Sequence, residues 1–393
     1  MNGMYKKLIL TMLKKNAMLI ALVLVYLFFM ILTKGGIFSP SSFTELINQN
    51  AYVYILGAGM LMCMLTGGNI DLSCGAFVCL LGAIGGVFMI VQGIGTGASI
   101  ALMLLIGVVY GCVLGYLIAY VHIPPWIATL AGYLAFRGLG TAILSVNSST
   151  GSLSLSTKPD FLSIFFGRIF PTDKGVFNWP CFLFGLGAAA LVVLVVFMTR
   201  RSRLSKGYEA DTLKTAAIKS GLGAAAIILV MSRLALDGGI PTTLLWVAGI
   251  ILIYSFITGK TTVGRHFYVV GGNMEAARLS GVNTRRVMFL AYLNMAVLTS
   301  IATFTVIARS QSAYADVGKN FEMDAISACV VGGVSASGGA GTVLGMVIGA
   351  TLIGVINLGM SLISLDANYQ RVVKGFVLLA AVVFDILSKK KQK

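Results

Sequence analysis

The chain of 393 residues is 58% hydrophobic and only 11% charged, whereas soluble domains carry about 25% charged residues, so a fully hydrated surface is excluded. Its net charge of +16 has no soluble basic domain to carry it, as a nucleic-acid groove would need; it gathers in clusters between apolar runs, the pattern of cytoplasmic loops. Cys63, Cys74, Cys79, Cys112, Cys181 and Cys329 form no CxxC pair, and His122 and His266 stand apart, so no metal-ligand pattern is present.

Apolar runs near the roughly 20 residues that cross a hydrocarbon core predict about twelve spans. They lie near 17–33, 46–65, 72–92, 97–121, 124–145, 181–199, 216–234, 242–259, 287–309, 322–336, 342–363 and 368–387. The first follows Lys6, Lys7, Lys14 and Lys15 as a secretion signal would. It runs on to Leu32-Thr33-Lys34-Gly35-Gly36 without a small-x-small cleavage site, so it reads as a retained span. Counted from inside, the spans place 200–215, 260–286, 388–393 and both termini in the cytoplasm. The basic clusters fall there: Arg200, Arg201, Arg203, Lys206 and Lys214, then Lys260, Arg265, Arg278, Arg285 and Arg286, then Lys389, Lys390, Lys391 and Lys393.

Glycine or charge interrupts 72–92, 124–145 and 322–336, which makes these the candidates for broken or re-entrant segments. The outer segment 146–180 joins a polar stretch, Asn147 to Thr150, to an aromatic one, Phe161 to Phe170. It fits a helix at the membrane interface and equally a loop packed on the protein's own outer face. Gly111 with Gly115 and Gly345 with Gly349 have the small-xxx-small spacing of close helix packing.

Two clusters differ from these packing glycines. Gly67-Gly68-Asn69-Ile70-Asp71-Leu72-Ser73 and Gly332-Gly333-Val334-Ser335-Ala336-Ser337-Gly338-Gly339 each interrupt apolar sequence, one in either half, as helix breaks in a duplicated transporter do. Between the halves, 269–286 reads VVGGNMEAARLSGVNTRR. Asn273 suits a helix cap, Glu275 then falls in the first turn where the macrodipole favours it, and Gly281 suits the stop. The result is a short helix displaying Glu275, Ala276, Ala277 and Arg278: a solvated loop helix, or a docking element for a cytoplasmic partner. Asp71 and Asp324 at span edges and Arg137 deep in a span carry the usual choice between structural pairing and gating. Asn48, Gln49, Asn50, Tyr52, Phe136, Asn294 and Asn357, with Arg137, are the residues in spans that a neutral sugar path would use; most such residues serve helix contacts.

GGNIDLSCG at 67–75, VVGGNMEAARLSGVNTRR at 269–286, FEMDAISACVVGGVSASGGAGTVLGMVIGA at 321–350 and YQRVVKGFVLLAAVVFD at 369–385, in this order, resemble the ribose/xylose-type permeases of ABC sugar importers. The resemblance covers nearly the whole chain. The stretch 200–241, a basic loop with an added helix pair, exceeds a ten-span ribose-type core and resembles the larger xylose and multiple-monosaccharide permeases. So does the segment from Pro125 to Gly138. The chain departs from the family at Asn69, directly before Ile70, at Cys74, and at Ala76 in place of a serine.

The resemblance implies an all-α integral membrane protein of about 10–12 spans, with the architecture of vitamin-B12- and ribose-type (type II) importers and glycine-rich broken helices. It makes 1–393 one permease domain and 269–286 its coupling loop, in which Asn273, Glu275, Ala276, Ala277, Arg278 and Gly281 face the ATPase. The implied setting is a bacterial cytoplasmic membrane. The implied partners are a second permease copy, a tandem-domain cytoplasmic ATPase that holds ATP and Mg, and an external protein that delivers a pentose or hexose. The chain itself has no GxxxxGK[ST] phosphate loop and no cofactor is expected in it. Two rivals remain in view: an ion-coupled sugar carrier, for which no run of mid-helix carboxylates speaks, and an intramembrane transferase, for which no His/Asp/Glu cluster speaks.

Overall fold

The computed structural model describes residues 17–210 and 212–390. Among the described residues, fifteen α-helices are arranged in chain order as α1 (Ala17–Leu32), α2 (Pro40–Leu65), α3 (Cys74–Gly86), α4 (Thr96–Ala119), α5 (Pro125–Asn147), α6 (Pro159–Phe166), α7 (Trp179–Ser205), α8 (Leu213–Leu236), α9 (Thr242–Lys260), α10 (Thr262–Gly272), α11 (Met274–Leu279), α12 (Thr284–Arg309), α13 (Phe321–Val331), α14 (Val343–Leu362) and α15 (Ala367–Lys390). Strand structure among the described residues is limited to β1 (Ser152–Ser154), β2 (Arg168–Ile169), β3 (Ile240–Pro241) and β4 (Ser312–Tyr314). Among the described residues, eight segments are long and apolar enough to cross a membrane: α3 with the π-turn Val87–Val91 that extends it, α4, α5, α7, α8, α9, α12 and α14.

Burial runs opposite to that of a soluble protein. Leu105, Leu134, Leu191 and Leu252 point outward from α4, α5, α7 and α9, whereas Asn50, Asp71, Ser300 and Asp324 are buried. With hydrocarbon outside, apolar burial does not drive helices together; close packing and interhelical hydrogen bonds do. The central helix is therefore α2, which carries the small residues Gly57, Ala58 and Gly59. At Gly57 and Gly59, Met346 of α14 and Met295 of α12 occupy the space a Cβ would fill. The small-xxx-small pairs are likewise interfaces. Gly111 and Gly115 of α4 face Leu293, Ala296 and Phe289 of α12, and Gly345 and Gly349 of α14 face the carbonyls of Gly332 and Ala328.

The strand pairs define one end of the bundle, with Leu153 opposite Ala313 and Ile169 opposite Ile240. Arg168 and Asp237, 3.0 Å apart, and Arg309 with Glu45 form ion pairs there. Phe161 and Phe165 of α6 are buried against Phe304, and Phe165 also stacks on Trp246. Segment 146–180 thus packs on the protein's own face rather than lying as a separate interface helix. At the opposite end, Arg203, Lys206 and Tyr208 share a groove with Lys260, and His122 shares another with Arg278. The basic segments after α7 and α9 therefore sit together, as the charge pattern predicts. Lys6, Lys7, Lys14, Lys15, Lys391 and Lys393 lie outside the described residues.

Of the three candidates for interruption, one is cut short. Segment 72–92 starts at Cys74 and is helical without a break through its π-turn to Val91. Segment 322–336 is reduced to α13, whose eleven residues reach about 16 Å, half a hydrocarbon core. Segment 124–145 is not interrupted: α5 runs unbroken from Pro125. The helix α10 was not foreseen; Thr261 caps it by accepting from Gly264 N–H at 3.1 Å.

Candidate coupling and gating site

The short helix α11 is built as its residues suggest. Asn273 Oδ1 accepts from Ala276 N–H at 2.9 Å, and Glu275 lies 3.7 Å from Arg278 one turn on. Gly281 adopts φ +82°, its N–H donating to Arg278 C=O while Val282 N–H donates to Ala277 C=O. Asn283 then caps α12 by accepting from Arg286 N–H at 2.9 Å. Two caps in eleven residues fix where α11 starts and where α12 begins. Ala277 is buried, and Glu275, Ala276 and Arg278 face outward with Met274 and Leu279. Leu279 is 81% exposed at the basic end. A groove of about 790 Å³ runs beside the helix between Glu275, Arg278 and the end of α4 at Ile118 and Ala119.

The two glycine-rich breaks meet each other, and both meet the start of this loop. Gly339 N–H donates to the Leu65 carbonyl at 3.1 Å. A Cβ at Gly271 would overlap that same carbonyl oxygen and come 2.6 Å from Gly339 N; a Cβ at Gly68 would overlap the Ala336 carbonyl. Three backbones cross here, separated by nothing but hydrogen. Asn69 steadies the first break, its Nδ2 donating to Thr66 C=O at 3.0 Å and lying 3.7 Å from Met288 Sδ of α12. Asp71 Oδ1 accepts from Ser73 N–H at 2.8 Å and from its hydroxyl at 2.5 Å, and Ser73 Oγ lies 2.6 Å from Tyr110 Oη of α4. In the second break Gly332 N–H donates to Ala328 C=O and Val334 N–H to Cys329 C=O. Gly338 N–H donates to Ser335 C=O, and Gly333 sits at φ +82°.

The residues proposed for a sugar path are not gathered in one place. Arg137 donates to the carbonyls of Ala315 and Val317 at 3.2 and 2.8 Å, holding the segment before α13. Phe136 packs on Tyr110 and Phe77. Asn294 accepts from the Tyr254 hydroxyl between α12 and α9. Asn50 and Asn357 are buried on α2 and α14, each with a side-chain oxygen that meets no partner, and Asn50 Nδ2 lies 3.5 Å from Ala350 C=O. Tyr52 borders a cavity, with Asp324, Gln370 and Lys374. The sequence reading passes over Lys374, although a lysine within a predicted span is a signal of its own.

A family model described as the permease component of branched-chain amino acid transport systems matches residues 42–382. The chain is 33% identical to the xylose transport system permease protein XylH of Haemophilus influenzae, over 95% of this chain and 96% of that one. It is 28% identical to the ribose import permease protein RbsC of Escherichia coli K12, over 88% of each chain. It is also 28% identical to the fructose import permease protein FrcC of Rhizobium meliloti, over 93% of this chain and 84% of that one. No solved structure matches. A multi-pass helical chain with two glycine-rich breaks, matched almost from end to end by the family model and by XylH, belongs to this family of transport-system permease components.

Proposed function

We propose that the chain carries a monosaccharide inward across a bacterial cytoplasmic membrane, as the permease of an importer driven by a separate ATPase. The relatives named for xylose, ribose and fructose, matched along most of their length, support the substrate class. They are named as permease parts of import or transport systems, so the self-sufficient ion-coupled carrier is set aside. The supporting partners are a second permease copy, a tandem-domain ATPase that brings ATP and Mg, and an external sugar-binding protein. The basic end with both termini faces the cytoplasm, in keeping with its lysines and arginines.

One observation carries the mechanism: the exposed, doubly capped α11 is continuous with the crossing of the two breaks. Asn273, Glu275, Ala276, Ala277, Arg278 and Gly281 form the surface that docks the ATPase. A push on α11 travels through α10 to Gly271, which has no slack against Leu65 and Gly339. The breaks Gly67-Gly68-Asn69-Asp71-Ser73 and Gly332-Gly333-Ser335-Gly338-Gly339 then shift α3 and the half-length helix α13, which alternates access. Glycine-rich breaks of this kind are where transporters bend.

The test is sugar-stimulated ATP hydrolysis and uptake in liposomes holding the chain, its ATPase and its binding protein. Glu275→Ala and Gly281→Pro should abolish stimulation while the permease stays folded. Uptake by the permease alone, indifferent to ATP and to both substitutions, would overturn the proposal.

A further inference from the structure

Most buried polar groups of the bundle serve its own packing: Asn294 meets Tyr254, Arg137 meets backbone carbonyls, and Ser73 meets Tyr110. A cluster where α13 begins is arranged differently. It lies roughly 18 Å along α2 from its first residue, at Tyr52. There Phe321 stacks on Tyr52 with ring centroids 3.6 Å apart. The Tyr52 hydroxyl donates to Asp324 Oδ2 at 2.6 Å, and Lys374 of α15 donates to the same carboxylate at 3.0 Å. Asp324 is 4% exposed and Lys374 25%.

A buried ion pair is weak evidence for stability, because desolvation offsets most of its attraction. Inside a membrane such a pair marks a pathway more often than a clamp. A clamp would also be closed in by apolar side chains. This pair instead borders a cavity of about 380 Å³ between α2, α13 and α15, which Asn320, Ser327, Gln370 and Arg371 also line. The volume falls within the range of about 300–1,000 Å³ for small-ligand sites.

The lining selects a chemistry. Lys374 is matched by Asp324, Lys319, at the rim, by Asp316 at 3.3 Å, and Arg371 donates to Asn368 Oδ1 at 3.2 Å, so each cation of the lining already has a partner and the cavity is not a strong anion site. The carboxylate, amides and hydroxyl offer paired acceptors and donors, while Phe321, Met323 and Leu378 supply an apolar wall. A neutral ring with hydroxyls on its edge and C–H on its faces satisfies both.

We propose that this cavity is the station at which the sugar rests inside the permease, with Asp324, fixed by Tyr52 and Lys374, accepting from its hydroxyls. Gln370, whose Nε2 also donates to Leu365 C=O at 2.9 Å, supplies the second polar contact. The proposal rests on the sugar-importer reading above and names the site within it.

The experiment uses the assembled transporter in liposomes, with D-xylose, D-ribose and D-fructose as probes in parallel. Each lost contact to the sugar should lower uptake per ATP hydrolysed by about tenfold, the equivalent of one hydrogen bond to a charged or well-placed group. Gln370→Ala should show that loss in full, and Asp324→Asn, which keeps an oxygen acceptor but not the charge, a smaller one, with uptake falling more than hydrolysis in each. The swap Asp324→Lys with Lys374→Asp should not restore uptake. A thiol placed by Gly375→Cys, where a Cβ meets open space on the cavity rim, should be alkylated more slowly when sugar is present, and Gln370→Ala should remove that protection. Recovery of uptake in the swap, parallel loss of hydrolysis and uptake in Gln370→Ala, or sugar-independent alkylation would each reduce the cluster to a helix clamp and overturn the proposal. Absence of ATP-driven uptake of all three sugars by the unaltered transporter would instead sink the importer reading, and the station with it.

Discussion

Gly271, Gly272 and Gly281 lie within eleven residues of one another, yet the structure asks different things of each. At Gly271 a methyl group would meet two backbones, and backbone cannot swing aside as a side chain does. Gly271→Ala should therefore cost about 1–3 kcal/mol, as overpacking does, or else force the two breaks apart. At Gly272 a methyl group meets nothing within 4 Å, so Gly272→Ala should leave both stability and coupling unchanged. Gly281 also has open space, but its φ of +82° puts an alanine in the left-handed region at about 1–2 kcal/mol. Unfolding of the purified permease in detergent, followed by tryptophan fluorescence, ranks the three; equal effects at Gly271 and Gly272 would refute the crossing. The sequence shows all three glycines as punctuation. It does not separate them, because what distinguishes Gly271 is the approach of Leu65 and Gly339, some two hundred and seventy residues apart in the chain from one flank to the other. The residues of the short helix were more legible, since Asn273, Glu275 and Gly281 act through neighbours three or four positions away.

Among the elements, local signals decided what could be read. The break before α3 is visible as Gly67-Gly68, but its stability comes from Asp71, whose Oδ1 takes both donors of Ser73. Asp71→Ala would strand the Ser73 N–H in a buried site at about 1–3 kcal/mol, the Ser73 hydroxyl keeping Tyr110 as a partner, whereas Asp71→Asn keeps an oxygen acceptor in the same place. The first should lower the thermal midpoint and slow uptake by tenfold or more; the second should stay close to the unaltered protein. Equal damage from both would mean that the negative charge, and not the acceptor geometry, is what α3 requires. By contrast α10 escaped the sequence reading because 260–272 mixes lysine, arginine and histidine with aromatic residues and glycine, and its helical period emerges only once Phe267 and Val270 are seen buried. The α5 span misled in the other direction: its glycines and Arg137 suggest interruption. Arg137 nevertheless finds backbone carbonyls across the helix interface, so the helix continues without a break.

The whole molecule is a bundle with two chemically unlike ends, and its composition alone makes it a membrane protein. Charge placement adds the orientation: the segments after α7 and α9 carry the arginines and lysines and converge at one end, while the strand pairs lie at the other. What the sequence withheld is the packing of α7 and α8 as an outlying pair, joined to the core through Phe43, Met231 and Leu234 and by Arg233 stacked 4.0 Å over Phe38. Orientation is open to a direct check, because five of the six native cysteines are buried and Cys112 is half-buried. Ser205→Cys and Thr150→Cys place exposed thiols at the basic and strand-paired ends. In intact cells a membrane-impermeant maleimide should label the thiol of Thr150→Cys and leave that of Ser205→Cys untouched. Inverted vesicles should give the reverse, because translocating the basic loop would oppose the positive-inside bias. Labelling of both thiols from one side would mean that an even number of crossings lies between residues 150 and 205, and α7 would not be the single span that separates the two ends.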